Sequence, residues 1–213
     1  MPQLFLVDRN VNISLVMGMI RLSILFLVLL VTTTYAQIGP DGTGTVNGYF
    51  IGPGVPLDDA NLSDALLDGA NLIQANLYNA NLSGAVLINA NLTNAYLSYA
   101  DLTGANLSNA DLNDAYLTYA DLSGANLSNA ELDDAYLSDA DLTGANLTGA
   151  DLSGTILNGV KSGNITGTPT LWGDYRMANG YIVGPNVDLT SADLTGADLS
   201  RADLSGTLSL IHI

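Results

Sequence analysis

The chain has 213 residues, of which 21 are acidic and 5 are basic, and its formal net charge is −16. It contains no cysteine, which excludes a disulfide framework and a thiolate metal site. It has only 3 Phe and 1 Trp, so its core would consist of Leu and Ala rather than aromatic side chains. This composition offers too few large apolar side chains for the core of an ordinary globular domain. A solenoid, in contrast, can bury small inward side chains between neighbouring coils.

Residues 1–36 have the parts of a secretory signal peptide. Arg21 precedes the apolar run LSILFLVLLV, and TTTYA follows it, in which the Thr34-x-Ala36 pattern predicts cleavage after Ala36. The run is shorter than the roughly 20 apolar residues that a membrane span needs. The alternative is an uncleaved membrane anchor, because the segment 11–20 is also fairly apolar.

Residues 37–59 are rich in Gly and Pro and are expected to form the opening and cap of the following domain. Within this segment, GYFIGPGVPL from Gly48 recurs as GYIVGPNVDL from Gly180, and each copy runs directly into regular repeats. We interpret GYxxGPxV as the segment that begins a series of coils and covers its first edge, since an uncovered β-edge invites aggregation.

Residues 60–159 carry an internal five-residue repeat. Leu occupies every fifth position from Leu62 to Leu157, and Ala lies two positions before each Leu except at Thr155. This period fits neither an α-helix nor a plain strand, and the Asn, Asp, Ser and Gly between the leucines favour turns. The pattern predicts a coil that turns once in every repeat and buries Leu and Ala on one side. The expected core includes Leu62, Leu82, Leu102, Leu107, Leu122 and Leu142.

A second, longer period lies inside the first and spans four repeats. It relates the tyrosines in two sets, Tyr96, Tyr116 and Tyr136, and Tyr99 and Tyr119. It also relates the acidic residues Asp101, Asp121 and Asp141. If one coil holds four repeats, each set forms a ladder along one face of a four-sided coil. The five-residue rule does not require this longer period, which is therefore independent evidence for four sides.

The tandem A(N/D)LxG/N motifs resemble those of the pentapeptide-repeat proteins. The resemblance covers residues 60–159 continuously and resumes at 188–206. It implies an all-β fold, a right-handed quadrilateral β-helix, in which residues 60–159 would form five coils with a height of roughly 24 Å. It does not imply one function, because the family hosts many roles.

Residues 160–187 break the five-residue rule and are expected to form a linker excursion that ends in the second GYxxGP segment. We expect Trp172 to close the end of the leucine core, and the alternative is a binding loop that exposes it. Residues 188–206 would form a second, truncated pentapeptide stack, and residues 207–213 an out-of-register tail. Because one coil leaves an edge exposed, we expect that the natural protein continues or that the tail is an artefact of sequence assembly.

The acid ladders are the strongest predicted surface feature, because residues 60–159 hold twelve acidic residues and no Lys or Arg. The candidates for interaction are Asp101, Asp121 and Asp141 on one face and Asp111, Glu131 and Asp151 two faces further on. In the simplest interpretation, these acidic residues belong to the consensus sequence of the repeat, and their charge keeps the protein soluble. Pentapeptide-repeat proteins similar in charge and shape mimic DNA and occupy the DNA-binding groove of gyrase, so the resemblance implies that role as an alternative. A third interpretation is weak Ca²⁺ binding, although a flat ladder offers few oxygens per ion.

The tyrosine ladder also allows two interpretations. Stacked rings can hold neighbouring coils together, as cross-strand aromatic pairs do. Alternatively, an exposed aromatic strip can contact carbohydrate or another protein, because such patches mark interaction sites.

No pattern of catalytic residues is recognisable. The sequence has no Cys nucleophile and no phosphate-cradling glycine loop, and its single His, His212, lies in the tail. Catalytic carboxylate pairs need distinct environments that separate their pKa values, whereas these carboxylates are spread evenly. We therefore predict no enzymatic activity, no cofactor and no bound metal.

The function predicted from the sequence is a non-enzymatic, exported, acidic repeat protein that acts as a structural or protein-interaction scaffold. It would be secreted, periplasmic or at the cell surface, and membrane-anchored if the leader is not cleaved. The alternatives are a DNA-mimicking binder of a nucleic-acid enzyme such as gyrase and an adhesion protein that uses the tyrosine ladder. The expected partner is a protein or surface ligand, with no direct nucleic-acid binding, membrane contact only through the N-terminal segment, and a homodimer through a solenoid end as a further option.

Overall fold

The computed structural model describes residues 37–207. The predicted leader, its cleavage site at Ala36 and residues 208–213 of the predicted tail lie outside this range. The described part is built from short strands and turns. Within it, no helix has the length and apolar character that crossing a membrane requires.

A small antiparallel sheet opens the described domain. Strand β1 (Gln37–Ile38) pairs with β2 (Gly44–Val46), which pairs with β3 (Tyr49–Ile51). Asn47 and Gly48 join β2 to β3 with φ angles of 51° and 84°. Two consecutive positive φ angles are typical of the type I′ turn, whose twist matches that of a hairpin, and Asn-Gly is its preferred sequence.

Each repeat unit consists of a short straight side and a tight turn. The N–H of Ala65 donates to the carbonyl of Leu62 at 3.1 Å and closes a turn over Ser63 and Asp64. Asp64 has a φ angle of 54°, and the same left-handed conformation recurs at every fifth position from 54 to 164. This requirement explains why Gly, Asn and Asp dominate this position of the repeat.

Consecutive coils pair in parallel, and each residue at a pairing meets its counterpart four repeats further along the chain. The N–H of Leu62 donates to the carbonyl of Asn81 at 2.7 Å, and the N–H of Asn81 donates to the carbonyl of Ala60 at 2.9 Å. Such pairings occur on each of four sides of the coil, and the first joins Pro56 to Asn76. The chain therefore winds as a four-sided β-helix, in which neighbouring coils satisfy each other's backbone groups.

The inside of the β-helix is filled by the repeat's Leu and Ala. The leucines named above as the expected core are at most 1% exposed: Leu62, Leu82, Leu102, Leu107, Leu122 and Leu142. The consensus alanines between Ala60 and Ala150 are at most 3% exposed. Burying each leucine contributes about 1.5–3 kcal/mol, so stability comes from many equivalent small contributions along the coil.

The ladder continues past residue 159, where the sequence repeat becomes irregular. Lys161 pairs with Asp141 in the regular register of the ladder. Val160 takes the inward position of the consensus Ala and is fully buried, and Asn164 adopts the left-handed turn conformation. The segment 160–187, expected to be a linker, therefore begins as a further coil. In this coil, residues that depart from the repeat consensus still occupy its inward position and its left-handed turn position.

A hairpin follows within this coil. Strand β4 (Arg176–Ala178) pairs with β5 (Tyr181–Val183), and Asn179 and Gly180 connect them with φ angles of 48° and 77°. The turn is the same Asn-Gly type I′ turn that joins β2 to β3. The repeated GYxxGP sequence thus corresponds to a repeated hairpin.

The segment 188–206, for which we expected a second stack, begins by continuing the same ladder at Asp188. Lys161 pairs with Asp188, although the regular register would place Tyr181 opposite it. The hairpin therefore lengthens one coil and shifts the partner of Lys161 from position 181 to position 188. Leu189 and Leu194 return to the inward position and are fully buried.

Trp172 does not close the leucine core, which corrects our expectation. Its side chain is 45% exposed, and its indole N–H donates to the carbonyl of Thr155 at 2.8 Å. One coil below, the equivalent carbonyl of Ala135 accepts the backbone N–H of Ile156 at 3.0 Å. The indole N–H therefore takes the place of a backbone donor of the ladder at this carbonyl, because the N–H needs a partner and the carbonyl offers one.

The tyrosines of the two GYxxGP segments make equivalent contacts that the sequence does not reveal. The hydroxyl oxygen of Tyr49 accepts the backbone N–H of Asn61 at 3.3 Å. The hydroxyl oxygen of Tyr181 accepts the backbone N–H of Asp193, also at 3.3 Å and at the same separation along the chain. Each tyrosine thus covers an N–H at the edge of the coil that follows it, which supports an edge-covering role for this segment.

Candidate interaction surface

Between residues 60 and 159, the residues at the backbone pairings form four columns, and we name each face of the β-helix by its column in this part of the chain. The first acidic face consists of Asn61, Asn81, Asp101, Asp121 and Asp141. The asparagine face consists of Leu66, Val86, Asn106, Asn126 and Asn146. The second acidic face consists of Asn71, Asn91, Asp111, Glu131 and Asp151. The tyrosine face consists of Asn76, Tyr96, Tyr116, Tyr136 and Ile156.

The order of the faces around the coil puts the predicted interaction residues together. The tyrosine face has an acidic face on each side and lies opposite the asparagine face. Tyr99 and Tyr119 lie in the turns between the tyrosine face and the first acidic face. The candidate residues therefore occupy three adjacent faces, and the fourth face is nearly neutral.

The aspartates of both acidic faces also have a local structural role. The carboxylate oxygen of Asp101 accepts the backbone N–H of Thr103 at 2.9 Å, and that of Asp121 accepts the N–H of Ser123 at 2.9 Å. The same contact is made by Asp111, Asp141 and Asp151. This is the turn-forming contact typical of Asx side chains, so one oxygen of each carboxylate is fixed and the charge is held at a defined place.

The asparagine face is held by amide contacts between coils. The side-chain amide of Asn126 donates to the side-chain oxygen of Asn106 at 3.1 Å, and that of Asn146 donates to Asn126 at 3.1 Å. These neutral ladders satisfy the amides within the protein. The face consequently offers a partner less charge than the acidic faces beside it.

The rings of the tyrosine face are stacked. The ring centroids of Tyr96 and Tyr116 lie 5.1 Å apart with an interplanar angle of 8°, and those of Tyr116 and Tyr136 lie 4.8 Å apart at 4°. Tyr96 is nevertheless 49% exposed and Tyr136 is 38% exposed. Both interpretations of the ladder thus have geometric support: the rings stack between coils, and they also face solvent.

A second tyrosine column lies in the adjacent turns. The rings of Tyr99 and Tyr119 are stacked at 4.9 Å, and Tyr78 meets Tyr99 edge-to-face at 5.5 Å and 64°. A hydrogen bond to the Asp139 carboxylate, together with its negative charge, raises the pKa of Tyr119. Tyr78 is missing from the sequence prediction because it lies one position out of the register that relates Tyr99 to Tyr119.

Tyr78 and Tyr96 form the walls of a shallow groove of about 480 Å³. The other residues that line it are Asp58, Asn76 and Ser98. The sequence signal that could have located it is the replacement of the column's Tyr by Asn76, one coil before Tyr96, which opens a space at the end of the stacked rings. This groove is the concave part of the tyrosine face, and such sites favour ligand binding.

A cluster of carboxylates lies beside the tyrosine face on the side of the second acidic face. Desolvation by the surrounding protein, followed by the charges of Asp134, Asp151 and Asp114, raises the pKa of the exposed Asp133 carboxyl. Its backbone N–H donates to the side-chain oxygen of Asn113 at 2.8 Å. The cluster holds like charges close together, so the folded state binds a proton at Asp133 more tightly than the unfolded state does.

We expect Asp133→Asn to stabilise the protein slightly at neutral pH. Because the pKa is higher in the folded state, folding favours the protonated carboxyl over the charged one. This contribution to stability is present at low pH and is lost as the pH rises through the folded-state pKa. The melting temperature of the variant should exceed that of the wild type at neutral pH, and the gain should vanish in acid below the ordinary pKa of 3.8. Asp68→Asn, an exposed acid near the asparagine face, is the control. An equal gain for both variants would argue against the cluster.

The carboxylates of residues 37–207 do not group as metal ligands do. No set of three or more His, Cys, Asp or Glu side chains in this part of the chain is arranged to hold a metal ion. The acidic faces thus present single carboxylates at regular intervals, an arrangement suited to a broad electrostatic contact.

Several solved structures are similar to this chain. Rfr23, a pentapeptide repeat protein from the cyanobacterium Cyanothece 51142, is 34% identical over 54% of this chain and 89% of its own, with a TM-score of 0.43. HetL from Nostoc sp. strain PCC 7120, which is involved in heterocyst differentiation regulation, is 30% identical over 72% and 69%, with a TM-score of 0.31. QnrB1, a plasmid-mediated fluoroquinolone resistance protein, is 22% identical over 76% and 83%, with a TM-score of 0.33. No curated protein matches the chain.

The family profile described as pentapeptide repeats (8 copies) matches more than half of the chain. The matched residues are 57–94, 95–134, 120–159 and 185–207. The last match coincides with the coil that follows the inserted hairpin, and the others with the regular part of the ladder. On this evidence, together with the four-sided coil, the chain belongs to the pentapeptide repeat family and has its right-handed β-helix fold.

Proposed function

We propose that this protein is a non-enzymatic, exported interaction scaffold that binds a basic partner protein along its tyrosine face and the two acidic faces beside it. The observation that carries the proposal is the asymmetry of the β-helix. Aromatic rings and carboxylates occupy three adjacent faces, while the fourth carries a neutral asparagine ladder. Exposed aromatic side chains are enriched at protein interfaces, and a field of one sign steers a partner of the opposite sign.

Export is part of the proposal because of the sequence before Gln37. Its basic flank, short apolar run and final small residues fit a cleaved secretory signal. The partner would then be secreted, periplasmic or on the cell surface. Sequencing the N-terminus of the mature protein should give Gln37, and an intact leader would instead favour a membrane-anchored form.

A DNA-mimicking binder of a nucleic-acid enzyme is the second candidate, and the density of charge favours it. Twelve carboxylates between residues 60 and 159 lie along a stack of roughly 24 Å, or about one per 2 Å. Duplex DNA carries about one phosphate charge per 1.7 Å of helix axis. A mimic must share a compartment with its target, so the export that we propose argues against a cytoplasmic nucleic-acid enzyme as the partner.

The proposal predicts that partner capture depends on the tyrosine face. Residues 37–213 would be immobilised and exposed to fractions of the native host, and bound proteins would be eluted with salt. Wild type is compared with a tyrosine variant, Tyr96, Tyr116 and Tyr136→Ser. The matched control changes the opposite face in the same part of the β-helix, Asn106, Asn126 and Asn146→Ser. Both variants are used only if they keep a cooperative melting transition.

We expect the wild type and the asparagine variant to capture the same basic protein, and the tyrosine variant to lose it. Equal capture by all three would contradict a role for the tyrosine face. Capture of a cytoplasmic nucleic-acid enzyme that instead depends on Asp101, Asp121 and Asp141 would favour the DNA mimic.

A further inference from the structure

The stacked column of the tyrosine face exposes ring faces only at its ends. Parallel rings with centroids about 5 Å apart turn their faces towards each other, so Tyr116 is covered by Tyr96 on one face and by Tyr136 on the other. The second face of Tyr96 carries no stacked ring from the column, because Asn76 precedes it there, and Tyr96 is 49% exposed. That face borders the groove shared with Tyr78.

The residues around the groove leave its centre open. The side-chain oxygen of Asn76 accepts the backbone N–H of Tyr78 at 3.2 Å, and its amide donates to the Asp58 carboxylate at 3.3 Å. Asn76 is therefore held in its own turn and cannot cover the ring of Tyr96. The same contact positions the Asp58 carboxylate, which is exposed at the rim of the groove.

This combination of groups suits a planar cation. The face of a tyrosine ring is electron-rich and attracts cations, and a guanidinium can lie flat on it while donating to a carboxylate. The groove offers two rings, of Tyr78 and Tyr96, each about half exposed, and one carboxylate, of Asp58. The net charge of −16 adds long-range attraction for a basic ligand. We propose that the groove between Tyr78 and Tyr96 binds an arginine side chain of a basic partner protein.

The inference rests on the proposed function and names one anchoring contact within that interface. Arginine fits better than lysine, because its flat guanidinium can stack on the ring of Tyr96 and reach the Asp58 carboxylate with two donors. A neutral sugar could also stack on an aromatic ring. It would gain nothing from the carboxylate's charge or from the field of the whole protein, so the charge pattern favours the cation.

The test uses a capped tri-arginine peptide as the probe and follows its binding to the full chain by NMR titration of the tyrosine ring signals. Removing the ring in Tyr96→Ser should weaken binding about fivefold, because a cation–π contact at an exposed site is worth up to about 1 kcal/mol and about 1.4 kcal/mol is a factor of ten. Asp58→Asn should weaken binding by about fivefold or more. Tyr96→Phe keeps the ring face and should bind within about twofold of the wild type.

Two matched controls separate the groove from general attraction. Tyr136→Ser removes the ring at the other end of the same column, and Asp68→Asn removes one exposed charge far from the groove. Both should bind within about twofold of the wild type. Because Asp58→Asn leaves the stacked rings unchanged, its comparison with Asp68→Asn decides the question even if Tyr96→Ser does not fold.

The results distinguish failure of the groove from failure of the scaffold. The groove proposal is overturned if Asp58→Asn and Asp68→Asn weaken binding equally, or if Tyr96→Ser binds as the wild type does. The proposal that the protein binds a basic partner would still stand in either case. If the wild type does not bind the arginine peptide at all, both proposals fail. Stronger binding of maltohexaose than of the peptide would also overturn the groove proposal in favour of a carbohydrate ligand.

Discussion

Leu107→Asp is expected to abolish the folded β-helix. Leu107 is fully buried, and its backbone N–H donates to the carbonyl of Asn126 in the next coil at 2.7 Å. Removing a buried leucine side chain alone costs about 2–5 kcal/mol, and an unpaired carboxylate in an apolar core adds several more. Together these terms approach the whole stability of a typical domain, about 5–15 kcal/mol.

The measurement for Leu107→Asp is thermal melting followed by circular dichroism. The matched control is Ser108→Asp, which adds the same charge at the next residue, in a turn at the surface. The control should melt close to the wild type, while Leu107→Asp should show no cooperative transition. A wild-type transition in Leu107→Asp would refute the β-helix core.

Gly42→Ala should loosen the segment that covers the first coil. Gly42 has a φ angle of 77°, and its carbonyl accepts the N–H of Asn71 at 2.7 Å. An added Cβ would lie 2.7 Å from the backbone nitrogen of Asn71 and 2.8 Å from the carbonyl oxygen of Gly69, so the segment must move away from the coil. The left-handed conformation costs a residue with a Cβ about 1–2 kcal/mol, and the lost hydrogen bond costs about 0.5–1.5 kcal/mol.

Gly48→Ala separates these two contributions. Gly48 has a φ angle of 84°, but an added Cβ there meets nothing within 4 Å. Chemical denaturation should show the larger loss of stability for Gly42→Ala. Light scattering should show aggregation of that variant alone, because, of the two glycines, Gly42 is the one whose added Cβ would push the covering segment away from the β-edge of the coil. Equal losses for the two variants, without aggregation, would mean that the opening segment does not protect the coil.

The regular part of the fold follows from local rules that the sequence displays. The turn in every repeat depends on Gly, Asn or Asp in a left-handed conformation, and the core depends on one Leu in every repeat. Both requirements are met by residues within a single repeat, so the sequence of each repeat is enough to predict its turn and its buried side chain. The Asx contacts of Asp101 and Asp121 are local in the same way, since each joins a side chain to a nearby backbone N–H in the same turn.

The irregular parts depend on contacts between distant residues and could not be predicted in this way. The ladder accepts Val160 and Asn164 because backbone geometry decides pairing, so a break in the sequence pattern at residue 160 did not mean a break in the coil. Trp172 is positioned by one carbonyl, that of Thr155, which the sequence does not single out. The groove joins Tyr78 to Tyr96 across two coils, at a separation along the chain that neither repeat period marks.

Site-specific photo-crosslinking tests most directly whether one side of the β-helix binds the partner. A photoreactive residue would be placed at Thr118 or Ser138, in the turns beside the tyrosine face, and separately at Ser108 or Ser128, in the turns beside the asparagine face. All four positions are half-buried turn residues in the same part of the β-helix. Because the tyrosine face is the centre of the proposed contact and Ser108 and Ser128 lie at its far edge, we predict strong crosslinks to one basic protein from Thr118 and Ser138 and weak or no crosslinks from Ser108 and Ser128. Crosslinks from Ser108 and Ser128 instead, or equally from all four, would contradict binding by the tyrosine side.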